Sequence, residues 1–469
     1  MIPADAVRHT TEIKALSPFP SATFVRRGVA LAQRVGQDLH ELASRLARAP
    51  AAGTVTPRDP GADALRLGSI LQCAESGLAD DVLPFWMRES WDEEAGGFIT
   101  HLDRMGRRSG PTRKCLVTQA GTIWALAAAH RHGLDGRGYL DLARRGVRFL
   151  LEKMWDREHG GFFREIARDG RLADPRKDTC GQAVATYALG EYAMASGDEE
   201  ALAAASAVFD LLHERAADGA LGFREAFARD WTPAPNPGGE RKTLLTHLHL
   251  MAAFTLLARA SRASVHAAAL EKLMTLLVGA TAHPTHGCGT ETFDRSWRPL
   301  GLGPTITSYG LNVEAAWLLL DAAHALGAPL ERVRETALGL IDHALAYGFD
   351  WQRGGLARCG PPRGHVTRAV YLGPHRLDKV WWAQAELSVA TIEAHRLTGA
   401  AIYLDAFQKQ FDWIWTRQAD REAGGWFEAT TWRAGRPLGF EKGNDWRCPF
   451  HETRALIRVS RALRAMGIH

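Results

Sequence analysis

The sequence predicts an all-α protein closed as a ring of six helical hairpins, an (α/α)6 barrel with short β-hairpin loops. Three observations lead there. From about residue 68 onward, apolar residues recur at intervals of three and four in one segment after another, with Ala and Leu heavily used. The breaks between segments resemble one another. They return at spacings near sixty residues, so about four hundred residues hold about six helix pairs. An open solenoid would use the same pairs. The ring is preferred because it buries every pair on both flanks and brings the aromatic-rich loops together.

Taken in order, residues 1–65 stand apart. Pro3, Pro18, Pro20 and the Ala-Pro-Gly-rich stretch 49–62 flank one helical pattern at 29–48, so an N-terminal arm with one helix and a linker is expected. The barrel is expected over 66–469. Its clearest helical patterns are 122–132, 182–194, 244–259, 313–326, 332–346, 382–397, 402–415 and 453–466. The connecting turns repeat: Trp91-Asp92-Glu93-Glu94-Ala95-Gly96-Gly97-Phe98 is echoed at 155–162 and 420–427, and more loosely at 350–356. Paired glycines admit positive φ, so the chain can turn sharply into a short extended piece that carries the aromatic. A second echo links Phe227-Ala228-Arg229-Asp230-Trp231 with Phe293-Asp294-Arg295-Ser296-Trp297.

Composition narrows the function classes. Hydrophobic residues make up 46% of the chain and charged ones 23%, ordinary values for a globular protein. The net charge of +4 is spread without basic stripes, which argues against a nucleic-acid partner. No run of about eighteen apolar residues suggests a membrane span, and residues 1–20 lack the layout of a secretory signal. The six cysteines are dispersed with no Cys-x-x-Cys, so neither a disulfide framework nor a thiolate metal site is expected, and a cytoplasmic setting is. Phosphate-binding and dinucleotide fingerprints are missing, so no cofactor is expected.

Two clusters carry the chemistry. Lys379-Val380-Trp381-Trp382-Ala383-Gln384-Ala385-Glu386 packs two indoles and three forked or charged side chains into eight residues, and Trp446 to Arg454 adds His451 three residues before Arg454. Flat apolar faces and forked polar groups are what a protein uses to hold a sugar. A histidine among them can move a proton near neutral pH.

These motifs resemble the N-acylglucosamine 2-epimerase superfamily over roughly residues 68–466. The resemblance extends to Leu83-Pro84-Phe85-Trp86, Gly181-Gln182-Ala183, Thr246-His247-Leu248-His249 and the stretch Tyr309 to Trp317. It implies an (α/α)6 barrel and a cofactor-independent epimerase or isomerase acting on a mono- or oligosaccharide. Carried over by position, His451 becomes an acid/base histidine, His249 a histidine of the same cavity, Glu314 a supporting carboxylate and Trp382 a sugar-contacting aromatic. Trp381, Gln384, Glu386, Lys379, Trp446, Arg454, Trp317 and Leu311 are expected to line the substrate site. Four positions depart from the pattern: Leu311 stands where a second acid/base histidine is expected, Gly121 replaces an arginine, Leu245 an asparagine and Ala252 a glutamate. All four are expected in the pocket.

Inversion at C2 with two bases needs a titratable group on each face of the sugar. With Leu311 in place of one, either His249 takes over or the reaction is one that a single histidine serves, such as same-side proton shuttling in aldose–ketose isomerisation. His247 and His249 are two apart, about 200° around a helix, so only one faces the cavity; His249 is that one and His247 packs. No metal site is expected from them, and His283 and His286 read as loop residues. Two other readings stay open: a lyase or glycoside hydrolase using Glu314 and Glu386, and a sugar-binding protein without catalysis. Either a monomer or a homodimer fits.

Overall fold

A computed structural model describes residues 59–134, 137–234, 241–281, 288–300, 306–362, 377–439 and 441–469. The expected N-terminal arm, with its helix at 29–48, and the loop histidines 283 and 286 lie outside the described residues. Pro60–His469 forms one compact unit, so the barrel starts with a helix at Pro60, ahead of the expected boundary at 66.

Thirteen α-helices are described: α1 (Pro60–Ser76), α2 (Leu83–Glu89), α3 (Leu116–Arg131), α4 (Tyr139–Phe149), α5 (Thr179–Ser196), α6 (Glu199–Leu211), α7 (Leu244–Ser261), α8 (Ser264–Thr281), α9 (Tyr309–Leu326), α10 (Glu331–Tyr347), α11 (Trp381–Thr398), α12 (Ala401–Trp413) and α13 (Phe450–Ala465). The inner ring runs α3, α5, α7, α9, α11, α13, each packed on the next, and α13 returns to α3. Outer helices α4, α6, α8, α10 and α12 back their inner partners, and α1 backs α13, so the first described helix completes the last pair. The ring, not the open solenoid, is observed.

Burial explains the composition of each layer. Thr179 to Ala193 on α5 is buried without interruption, whereas α4 buries Tyr139, Leu142, Ala143, Gly146, Val147 and Phe149 along one side only. An inner helix needs apolar residues all round, an outer one a single stripe. For the same reason α7 is long and apolar enough to cross a membrane by composition, yet 72% of that stretch is buried inside the ring.

The recurring turns are structural. Both glycines are left-handed at 96/97 (φ 71°, 73°), 160/161 (70°, 71°), 354/355 (85°, 88°) and 424/425 (92°, 65°). A Cβ at Gly97 would lie 2.6 Å from the Phe149 ring. The aspartate opening each turn accepts from a buried lysine at the start of the following repeat: Lys114 to Asp92 (3.1 Å), Lys177 to Asp156 (3.1 Å), Lys242 to Asp218 (2.9 Å), Lys379 to Asp350 (3.2 Å) and Lys442 to Asp420 (3.1 Å). Arginines from neighbouring hairpin loops grip most of the same carboxylates. Arg168 holds Asp92, Arg229 holds Asp156 and Arg295 holds Asp218, while Arg104 of the first hairpin reaches Asp420 of the last. The Phe-x-Arg-x-Trp echo in the sequence is therefore a belt of ion pairs around the rim of the ring.

Five residues after the lysine comes a side chain that clamps the backbone beyond the turn. Gln119 bonds the N–H and C=O of Phe98, and Gln182 those of Phe162. His247 accepts from the Phe223 N–H, and Gln384 bonds both backbone groups of Leu356. Two expected substrate contacts are thus corrected. Lys379 and Gln384 are fully buried scaffold residues, the lysine held by Asp350 and the Gly354 carbonyl beneath the Trp413 ring.

Candidate active site

Each inner helix presents its first turns to a cavity of about 640 Å³. Local sequence sets those starts: Asp178 caps α5, Thr243 caps α7 and Ser308 caps α9, each accepting from a backbone N–H three residues on. Six helix N-termini around one cavity supply partial positive charge, which favours an anion forming there.

His451, in the first turn of α13 after Pro449, lines this cavity with its side chain 15% exposed. Its Nδ1 lies 2.7 Å from Glu386 Oε1. That bond requires a proton on Nδ1, so in the neutral ring Nε2 carries the lone pair. Trp381 and Trp382 flank the ring, with centroids 6.4 and 6.1 Å away. A Cβ at Gly310 would fall 2.5 Å from the Trp382 indole, so glycine there lets Trp382 cross the start of α9.

Behind His451 is a buried charge cluster. Arg454 Nη2 donates to Glu386 Oε1 (2.7 Å) and to Glu314 Oε1, and Trp317 Nε1 donates to Glu386 Oε2 (2.8 Å). Burial pushes the Glu386 carboxyl up, but the Arg454 charge and the His451 hydrogen bond outweigh it and hold the group well below the carboxylate range. Glu314 moves the opposite way: burial and the adjacent Glu386 raise it despite Arg454. One carboxylate is ionised beside a second that keeps its proton more readily. Among the described residues Glu314 Oε2 has no hydrogen-bond partner.

Glu314, Glu386 and His451 place donor atoms within 4.8 Å of one another, a spacing that could hold a metal ion. The Arg454 guanidinium already bridges the two carboxylates, so a metal would have to displace a buried cation.

The expected site residues sort into three groups. His249, Leu311, Glu314, Trp381, Trp382, Trp446 and His451 line the cavity, with Trp446 at its exposed rim. Glu386, Arg454 and Trp317 stand behind the lining and orient it. Lys379 and Gln384 belong to the scaffold. His249 is buried, and burial, with the Arg454 charge close by, pushes it down to about 3. It is a neutral ring at ordinary pH. His247 packs as expected, with Nδ1 on the Thr243 carbonyl. Of the four departures, Gly121, Leu245 and Leu311 line the cavity, but Ala252 does not: it lines a separate chamber toward the C-terminal ends of the inner helices, one turn beyond His249. The sequence reading missed the polar rim. His101 Nε2 lies 3.1 Å from Asp445, which also pairs with Arg113, and Arg358 and Glu428 join the lining. These residues sit in loops whose sequence carries no periodic signal.

Comparison with known proteins agrees with this geometry. Residues 97–442 match the family model for N-acylglucosamine 2-epimerase (GlcNAc 2-epimerase). The chain is 29% identical over 395 residues to the cellobiose 2-epimerase of Bacteroides fragilis, covering 81% of this chain and 96% of that one. The structure of the cellobiose 2-epimerase from Spirochaeta thermophila superposes with a TM-score of 0.76 at 32% identity, covering 88% of this chain and all of the other. A D-mannose isomerase structure shares the fold with a TM-score of 0.73 at 20% identity. The chain is a member of the N-acylglucosamine 2-epimerase family, whose helical barrel it adopts.

Proposed function

We propose that this member of an epimerase and isomerase family is an aldose–ketose isomerase working with one acid/base histidine, His451. The observation that carries this reading is the asymmetry of the cavity. His451 has an ionised carboxylate on Nδ1 and a free Nε2, whereas the second position for a proton-transfer group holds Leu311. His249 is not a replacement base, because a ring pushed down to about 3 binds a proton poorly near neutrality.

In the proposed cycle, Nε2 of His451 takes the C2 proton of the open-chain aldose. The C–H pair forms a C1=C2 bond, and the carbonyl π pair moves onto O1, which takes a proton from Glu314. The resulting cis-enediol loses its O2 proton to the Glu314 carboxylate as the His451 proton is delivered to C1 on the same face. A ketone at C2 remains and both side chains return to their starting state. Helix N-termini stabilise charge on the oxygens, and Glu386 stabilises the imidazolium.

A hydrolytic role for Glu314 and Glu386 is disfavoured by their placement. Both grip the same guanidinium nitrogen instead of flanking a bond, and Glu386 sits behind the lining. The test is proton NMR in D2O with a panel of aldoses. Ketose formation with deuterium incorporation supports the reading; accumulation of the C2 epimer without ketose, or binding with no exchange at all, refutes it.

A further inference from the structure

An apolar patch lies in the cavity lining. Val117 comes from α3, Val184 from α5, Leu245 from α7 and Leu311 from α9, and Phe450 of α13 adds a ring 5.1 Å from that of His451; Thr243, Ser308, Glu291 and Thr292 also line the cavity. Val117 and Leu245 remain partly exposed, and they line both this cavity and a smaller adjoining pocket. The wall is also closed to a polar insertion at its glycine. A Cβ on Gly121 would lie 2.5 Å from Cys448 Sγ and 3.4 Å from the Phe450 Cβ, so that space is already filled by apolar atoms. Among the described residues, α3, α5 and α7 give the cavity one polar side chain from within the helix, His249, and the cap of α7 adds Thr243.

A hexose displays hydroxyls around its whole edge, and each one pressed on such a wall loses water without gaining a partner. A ring or chain lacking a hydroxyl there loses nothing and gains contact. We infer that the cavity is built for a deoxyhexose, a reducing sugar with one hydroxyl replaced by hydrogen on the side that meets Val117, Val184, Leu245 and Leu311. The inference rests on the proposed reading that the cavity takes a reducing sugar. It goes further by naming the missing hydroxyl as what is selected. Hydroxylated parents still enter, because a hydrophobic surface rejects an added hydroxyl only by about tenfold to a hundredfold.

Titration calorimetry with glucose, mannose and their 3-, 4- and 6-deoxy counterparts tests this. At least one deoxy sugar is expected to bind at least about tenfold tighter than its parent. Leu245→Asn and Val117→Ser, both at partly exposed positions, are expected to erase most of that preference without changing the melting temperature. Parents that bind as tightly as every deoxy counterpart, no binding by any sugar of the set, or a preference untouched in both variants would each overturn the inference. Deuterium exchange is read separately. A deoxy preference without exchange keeps this inference and removes the isomerase; exchange without a preference does the reverse.

Discussion

The two sides of the cavity come from one repeated unit and differ in what that unit exposes. Two residues after each of five backbone clamps, the inner helix places a residue beside the cavity or directly behind its wall: Gly121, Val184, His249, Glu314 and Glu386, with Arg454 at the matching position of α13. The first two are apolar, the third is a neutral histidine, and the last three form the charge cluster around His451. The clamp positions themselves stay alike: Gln119, Gln182, His247, Asn312 and Gln384 all bond backbone beyond a turn. The scaffold repeats because every hairpin has the same backbone groups to satisfy. The cavity does not repeat: three successive inner helices place charged groups around His451, while the others place small, apolar or neutral ones.

The contrast is broken most directly at His451. Replacing it with Ala is expected to lower turnover by about 10²–10⁴-fold with the fold intact, checked by steady-state kinetics beside a thermal melt. A variant keeping a tenth of the activity would place the base elsewhere. Arg454→Met reaches deeper. It leaves Glu386 and Glu314 facing each other without their shared cation, and a stability loss of about 3–5 kcal/mol is expected in denaturant melts. Stability equal to wild type would show that the cluster is not held by charge.

Lys379 belongs to the scaffold. Lys379→Met is expected to destabilise the protein by about 3 kcal/mol, since it takes from buried Asp350 its buried cation and leaves it the more exposed Arg353, while leaving KM for the sugar unchanged. A raised KM at unchanged stability would restore the substrate role that the sequence suggested.

That correction shows where sequence reading stops. Helices, paired-glycine turns and the six-hairpin ring were legible because they are periodic. His451, Trp381 and Trp382 were legible from their unusual local chemistry. Lys379 and Gln384 misled because they share eight residues with true lining aromatics. The signal that separates them is the repeat itself: a lysine stands five residues ahead of a glutamine at Lys114/Gln119, Lys177/Gln182 and Lys379/Gln384. A pair recurring in several hairpins serves the hairpin. Ala252 misled for a different reason, since one further helical turn carries a side chain out of this cavity and into the chamber beyond it. The loop residues His101 and Asp445 are brought together only by the closed ring.

The belt of ion pairs adds a pH dependence, to which the depressed carboxyl of Glu386 contributes in the same direction. Burial alone would raise Asp92, Asp156 and Asp420, but their lysine and arginine partners outweigh it, and Asp218 is lowered first by Arg295. Carboxyls held below their unfolded value stabilise the fold above that value, about 3.9, and lose the contribution as pH falls toward the folded one. The melting temperature is expected to drop as pH falls below about 4 and to be insensitive to these groups between about 5 and 7. A flat profile through pH 3 would contradict the belt. The smallest effect expected is from chelation. Prolonged treatment with EDTA should leave activity unchanged, because Arg454 holds the place between Glu314 and Glu386. Activity lost and restored by a divalent ion would overturn that.

If one side of the cavity does all the proton transfer, a label can be followed from C2 to C1. An aldose carrying deuterium at C2 is converted in ordinary water and the ketose is examined by mass spectrometry and NMR. A single histidine working on one face predicts that part of the deuterium arrives at C1 of the same molecule, and that this fraction vanishes together with turnover in His451→Ala. Complete washout of the label, with deuterium-free C2 epimer as the main product, would contradict the account and place a second base opposite His451.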